Sequence, residues 1–148
     1  MSEELILQLL SRLKILEQEF ERTKVIEKSA AVQGYVTTTD ATVTTVATIA
    51  IPASTTVMIE LHVAARRTSG SAGVAEDGAG YVQQATYKNV AGTATLIGSV
   101  NADYTAESQA AWDVTFAVSG GNVLIRVTGA VNNNISWYCS ADVYQISS

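Results

Sequence analysis

One cysteine and one histidine are all that this sequence offers to thiol, imidazole or metal chemistry. With Cys139 alone, no intrachain disulfide can form. A catalytic triad would have to be built around His62. No nucleophile elbow stands near it, so His62, two residues from Glu60, reads as a surface or interface residue. Cys139 lies between Trp137 and Val143 in β-rich sequence and reads as a small buried hydrophobe. No group of residues has metal-ligand spacing, and Glu76 and Asp77 read as solvated loop acids. The glycines fit turns and close backbone approach rather than a phosphate loop, so no cofactor is expected.

Basic runs and long apolar runs are missing too. After Lys28 the basic residues are Arg66, Arg67, Lys88 and Arg126, against eight acidic ones. That balance argues against nucleic-acid binding through phosphate contacts. No stretch approaches the ~20 apolar residues of a membrane span. Acidic Glu3 and Glu4 stand where a signal peptide needs a basic stretch, so synthesis in a cytoplasm is expected.

What is present divides at Lys28. Leu, Glu, Lys and Arg crowd the stretch before it, whereas valine and threonine, seventeen of each, fall almost wholly after it. Ile6, Leu9, Leu13, Leu16 and Phe20 recur at alternating spacings of three and four, the a/d seam of a coiled coil. In that register Arg12 at g faces Glu17 at e of a parallel neighbour, and Glu19 faces Lys24. Leu5 and Leu10 widen the stripe, which favours three or more strands over two. A helix about 40 Å long at ~1.5 Å per residue is marginal alone in water. The expectation is a homotrimer held by residues 1–28. The competing reading is a helix folded back on its own β-domain.

Residues 29–34 (SAAVQG) read as a small-residue linker and residues 35–148 as a β-domain. Val57, Ile59, Leu61 and Val63 alternate with Met58, Glu60 and His62. Trp112, Val114, Phe116 and Val118 repeat the pattern, as do Val123, Ile125 and Val127. The last strand sets Trp137, Cys139, Ala141 and Val143 against Tyr138, Ser140, Asp142 and Tyr144. Further strands are expected at Val43–Ile51, Gly80–Val90 and Thr93–Val100, with a weaker one at Tyr35–Thr39. About eight strands without helical pattern predict a mainly β fold, an antiparallel, jelly-roll-like sandwich behind an N-terminal coil. Two breaks, Ser69–Asp77 and Asn101–Ala111, are expected to be loops. Many outward positions are alanine, a weakly polar surface suited to an oligomer.

Carbohydrate binding needs exposed aromatics and amides. Tyr81, Tyr87, Tyr104, Trp112, Trp137, Tyr138 and Tyr144 are candidates, with Asn132, Asn133 and Asn134 as candidate receptor contacts. Asp103, Glu107 and Asp113 are the carboxylates a glycan-cleaving site would draw on.

The segments HVAARRT (62–68), GAGYVQQATYKNV (78–90), WDVTFAVSG (112–120) and VTGAVNNNISW (127–137) resemble a β-domain at the C-terminal ends of tailed-phage tail fibres. The resemblance covers about residues 40–147 and leaves out the helix. It implies a trimeric virion appendage whose distal domain contacts the host surface. Together with the residues it sets the expectation of a non-enzymatic homotrimeric tail fibre, attached to other virion proteins through its N-terminal helix and contacting a host-surface glycan or protein. A head fibre or capsid decoration protein is one alternative, and a glycan depolymerase is another.

Overall fold

The computed structural model describes the backbone of residues 2–24 and 28–148, and the side chains of residues 2–19 and 30–148. Helix α1 (Glu3–Lys24) is built from strong helix formers and starts at Ser2, whose hydroxyl accepts from the Leu5 amide at 3.2 Å. Glu3 and Glu4 in its first turn complement the positive end of the helix dipole. Every side chain from residue 2 to 19 is exposed, and the leucines and isoleucines of that stretch are between 42% and 67% exposed. No helix among the described residues is long and apolar enough to cross a membrane.

Eight strands follow among the described residues: β1 (Lys28–Thr38), β2 (Thr44–Ala50), β3 (Thr55–Ser69), β4 (Gly78–Val90), β5 (Thr93–Glu107), β6 (Asp113–Ser119), β7 (Asn122–Thr128) and β8 (Asn134–Ser147). They form two antiparallel sheets in the orders β1-β8-β3-β4-β5 and β2-β7-β6. The chain is thus mainly β and sandwich-like, as its alternation predicted. The strand order differs from an even jelly roll. The sequential partners β3, β4 and β5 stay together in the wide sheet, which leaves only three strands for the other.

The core lies between the sheets and is filled by the inward member of each alternating pair. Val57, Ile59 and Leu61 of β3 meet Val123, Ile125 and Val127 of β7 within one buried cluster. Trp112 and Trp137 pack with ring centroids 5.8 Å apart, and Trp137 Nε1 donates to Thr38 Oγ1 at 2.9 Å. Two buried amides join neighbouring elements. Gln83 Nε2 donates to the Val114 carbonyl at 3.0 Å, and Asn89 Nδ2 donates to the Ile51 carbonyl at 2.6 Å. Cys139 is buried, and desolvation raises its thiol pKa, which keeps it protonated.

Two segments differ from expectation. Residues 29–34 are not a linker: they are the first half of β1, paired with β8 from Ser29↔Tyr144 to Gly34↔Cys139. Their small side chains hid the strand, and at Gly34 the size is required. A Cβ there would overlap the Val46 carbonyl oxygen and come 2.9 Å from its carbon, because β1 and β2 approach closely. The second difference is β5, which runs on through residues 101–107 with a register irregularity near Gly98. Beyond Ala94 every residue of β5 is exposed, so its sequence carries no inside-outside alternation.

Gly34→Ala should therefore destabilise the sandwich by about 1–3 kcal/mol, the usual cost of overpacking. Urea unfolding should show a lower midpoint at an unchanged slope. An unchanged midpoint would mean that β1 and β2 separate without cost.

Candidate functional site

One end of the sandwich gathers three segments that lie far apart in sequence: residues 70–77, 108–112 and 130–134. Arg67, at the end of β3, holds the first of them. Its Nε donates to the Ala72 carbonyl at 2.9 Å and its Nη2 to the Gly70 carbonyl at 2.6 Å. The Arg67 amide also donates to the Asp77 carbonyl at 2.8 Å. Asp77 Oδ2 then accepts from the Val74 amide at 2.8 Å and from Gln109 Nε2 at 2.6 Å. These two bonds, the Val74 amide first, hold the Asp77 carboxyl below the usual aspartate range, with help from the Arg67 charge.

The asparagine run completes the cluster. The Ala72 amide donates to the Asn132 carbonyl at 2.9 Å, and Gly70, with φ of 117°, allows that close approach. Asn133 is 0% exposed and its Nδ2 donates to Gln109 Oε1 at 3.0 Å. Its Oδ1 has no partner among the described residues. Asn134 Nδ2 donates to Ser69 Oγ at 2.8 Å.

The three asparagines expected to act together therefore do different work. Asn133 is a buried strut and cannot touch a receptor. Asn134 is half-buried and spends its amide on Ser69, while Asn132 is exposed at φ 58°. Sequence reasoning missed Arg67, whose carbonyl partners are only three and five residues on, and Gln109, whose partners lie 24 and 32 residues away.

The aromatic candidates sort by strand parity. Trp112, Trp137, Tyr81 and Tyr87 are buried, whereas Tyr104, Tyr138 and Tyr144 are exposed. Tyr35 joins the exposed group. Its parity with Gln33 and Thr37, opposite Val32 and Val36, was the available signal. Of the candidate carboxylates, Glu107 Oε2 accepts from the Tyr81 hydroxyl at 2.7 Å. Burial first, then that bond and the Glu107 and Asp113 charges, raise the Tyr81 phenol well above its ordinary value. Asp103 is exposed on β5, where it accepts from Asn101. His62 is exposed with Nε2 3.6 Å from Glu60 Oε1. Among the described residues no three acidic, His or Cys groups could hold a metal.

Of the expected helical seam, Ile6, Leu9, Leu13 and Leu16 are exposed on α1. The Phe20 side chain and the Glu19–Lys24 pairing lie outside the described residues. Leu7 and Ile15, off the seam, are exposed too.

No protein-family model and no curated protein matches the chain. Among solved structures it is similar to the tailspike protein of Acinetobacter baumannii phage AM24, with a TM-score of 0.50 at 10% identity. That match covers 86% of this chain and 27% of the tailspike. It is also similar to tailspike gp49 of Acinetobacter baumannii phage Fri1, described as a capsular polysaccharide depolymerase (TM-score 0.40, 11% identity, 80% of this chain and 17% of that one). A third match is the tailspike of Acinetobacter phage vB_ApiP_P1 (TM-score 0.39, 14% identity, 82% and 22%). The chain thus spans about a quarter or less of these proteins, and the likeness is one of fold. It also corrects one expectation. The sequence, with its lone His62 and no catalytic motif, predicts a non-enzymatic chain, but a tailspike described as a capsular polysaccharide depolymerase stands among the structural neighbours, so that exclusion is withdrawn.

Asn133→Ala should cost about 1–3 kcal/mol, because it strips a buried hydrogen bond from Gln109. Asn132→Gly, at a positive φ on the surface, should stay within about 0.5 kcal/mol of wild type. Equal effects in urea unfolding would refute the division of labour.

Asp77 gives a pH signature. Its folded pKa is depressed, so its contribution is full above the ordinary aspartate value of about 3.9 and is lost as pH falls through the lower folded value. NMR titration of its carboxyl carbon should place the midpoint below that ordinary value, with the Val74 amide moving in step. A midpoint at the ordinary value would show that the Val74 and Gln109 bonds do not favour the charged form.

Proposed function

We propose that this chain is a trimeric module of a phage tail appendage, a tail fibre or tailspike component that binds polysaccharide on the host surface. The observation that carries the reading is the sandwich fold shared with the AM24 tailspike over 86% of this chain. The uncovered apolar helix supports the trimer. Eight leucine and isoleucine side chains of residues 5–16 stand exposed in a single chain, an unfavourable state that parallel copies would relieve. In the proposed coil Leu9, Leu13 and Leu16 face the axis, with Arg12 and Glu17 paired across neighbouring helices. The same helix anchors the module to its neighbour in the virion. The loop end carries Asn132 at its surface and belongs to the host-facing side.

A second reading is cleavage of the bound glycan, for which the candidate carboxylate is Glu107, ordered by the Tyr81 hydroxyl that donates to its Oε2 at 2.7 Å. Glycoside hydrolysis uses two carboxylates, and Asp113 is the candidate for the second. Release of reducing ends from capsular polysaccharide, abolished by Glu107→Gln, would support cleavage. Binding without release would reject it.

Sedimentation equilibrium should give about three times the 15.6 kDa chain mass at micromolar concentration. Leu9→Asp with Leu16→Asp should return the chain to a monomer that keeps its β circular dichroism. A wild-type monomer would overturn the trimer, and a dimer would reject its strand number.

A further inference from the structure

The outer face of the wide sheet carries a row of exposed tyrosines that the core does not use. Tyr35 is 67% exposed, Tyr104 55%, and Tyr138 and Tyr144 46% each. Register places Tyr35 of β1 opposite Tyr138 of β8, Tyr138 opposite Ala64 of β3, and Ala64 opposite Gly80 of β4. The next outward row runs Gln33, Ser140, His62, Val82 and Tyr104. Large rings thus stand on β8 and β5, and in the Tyr138 row only Ala64 and Gly80 lie between them on β3 and β4.

Two hollows result. One of about 290 Å³ lies between Tyr138 and Tyr104, floored by Ala64, Gly80 and Ser140. The other, of about 220 Å³, lies on the opposite side of Tyr138, against Tyr35, Arg66 and Ser136. The β8 and β5 backbones are three strand spacings apart, roughly 14 Å. The Tyr104 ring leans over Gly80, with Cε1 3.7 Å from where a Cβ would stand. The open gap therefore lies above β3, one ring wide. Tyr35 is held in place, its hydroxyl donating to Ser136 Oγ at 3.0 Å.

We propose that this tyrosine-walled trench is a glycan-binding site whose two hollows take consecutive sugar rings, with Tyr138 as their shared wall. The inference rests on the host-polysaccharide reading and names the surface that performs it. Tyrosine rings offer the apolar C–H faces of a pyranose a stacking surface at little entropic cost. Ser140, Ser136, His62 and Gln33 supply donors and acceptors for hydroxyl groups along the rim. The charged groups beside the trench have partners: Glu60 Oε1 is 3.6 Å from His62 Nε2, and Arg66 is 3.7 Å from Glu76. A neutral or weakly charged sugar chain suits such a lining better than an acidic peptide or a nucleic acid. Arg66 and Glu76 also join the trench to the loop end, so a long polysaccharide can run from one to the other.

The test is binding of the full-length chain to an array of bacterial capsular and lipopolysaccharide glycans, followed by titration of the best-bound oligosaccharide. Tyr138→Ala and Tyr104→Ala should each weaken that binding about tenfold or more, with trimer mass and melting temperature unchanged. Both are outward side chains, so the fold should tolerate their loss. Retained binding in both variants would overturn the trench while leaving the host-binding reading intact. Dissociation of the assembly in either variant would overturn it differently, by making this face a contact between copies. Failure of the wild-type chain to bind any glycan on the array would overturn the trench and the host-polysaccharide reading together.

Discussion

Five strands packed against three cannot cover each other fully, and this mismatch shapes the molecule. The three-stranded sheet buries the inner face of β3 and β8 and most of β4. It leaves β5 overhanging, with Leu96, Ile97 and Val100 partly open to solvent. An edge strand of fifteen residues without a single Lys, Arg or Pro is poorly defended against association. In the proposed trimer this overhang, with the uncovered helix, is apolar area that neighbouring copies bury. The wide sheet also has room for a broad outer face, which a narrower sandwich would lack.

Rigidity at the loop end follows from a different balance. The loop at residues 70–77 is rich in small residues and would be mobile if left to its own propensities. Arg67 supplies the fixed positive charge around which its carbonyls turn, and Asp77, Gln109 and Asn133 link it to two other segments. A surface ordered by internal bonds presents its exposed groups at a low entropic cost of binding. The same bonds withdraw Asn133 from any outside partner.

Alternation made the sandwich legible. Where one face is buried, period two separates Val57, Ile59 and Leu61 from Met58, Glu60 and His62, and eight strands could be counted. The signal failed where strands lacked that contrast. Residues 29–34 are mostly small, with Val32 their only large apolar side chain, and residues 101–107 of β5 are exposed on both faces, so neither stretch reads as strand. Sheet order was not legible, since pairings such as β1 with β8 join positions about a hundred residues apart. Of the candidate site, alternation set Tyr138 and Tyr144 of β8 on the face opposite Trp137, but nothing in β5 singled out Tyr104. The trench itself depends on five-strand register that no local pattern carries. The Asn run was visible as a candidate contact, but the burial of Asn133 was not.

Strand mismatch, bare helix and aromatic outer face together make one claim: three copies join through α1 and turn their tyrosine faces outward. A cryo-EM structure of the assembled chain with a bound capsular oligosaccharide tests it directly. The account predicts a threefold axis through Leu9, Leu13 and Leu16, and sugar density between Tyr138 and Tyr104 on a face directed away from that axis. A helix folded onto its own sheet, or tyrosines packed against the axis with no sugar beside them, would contradict it.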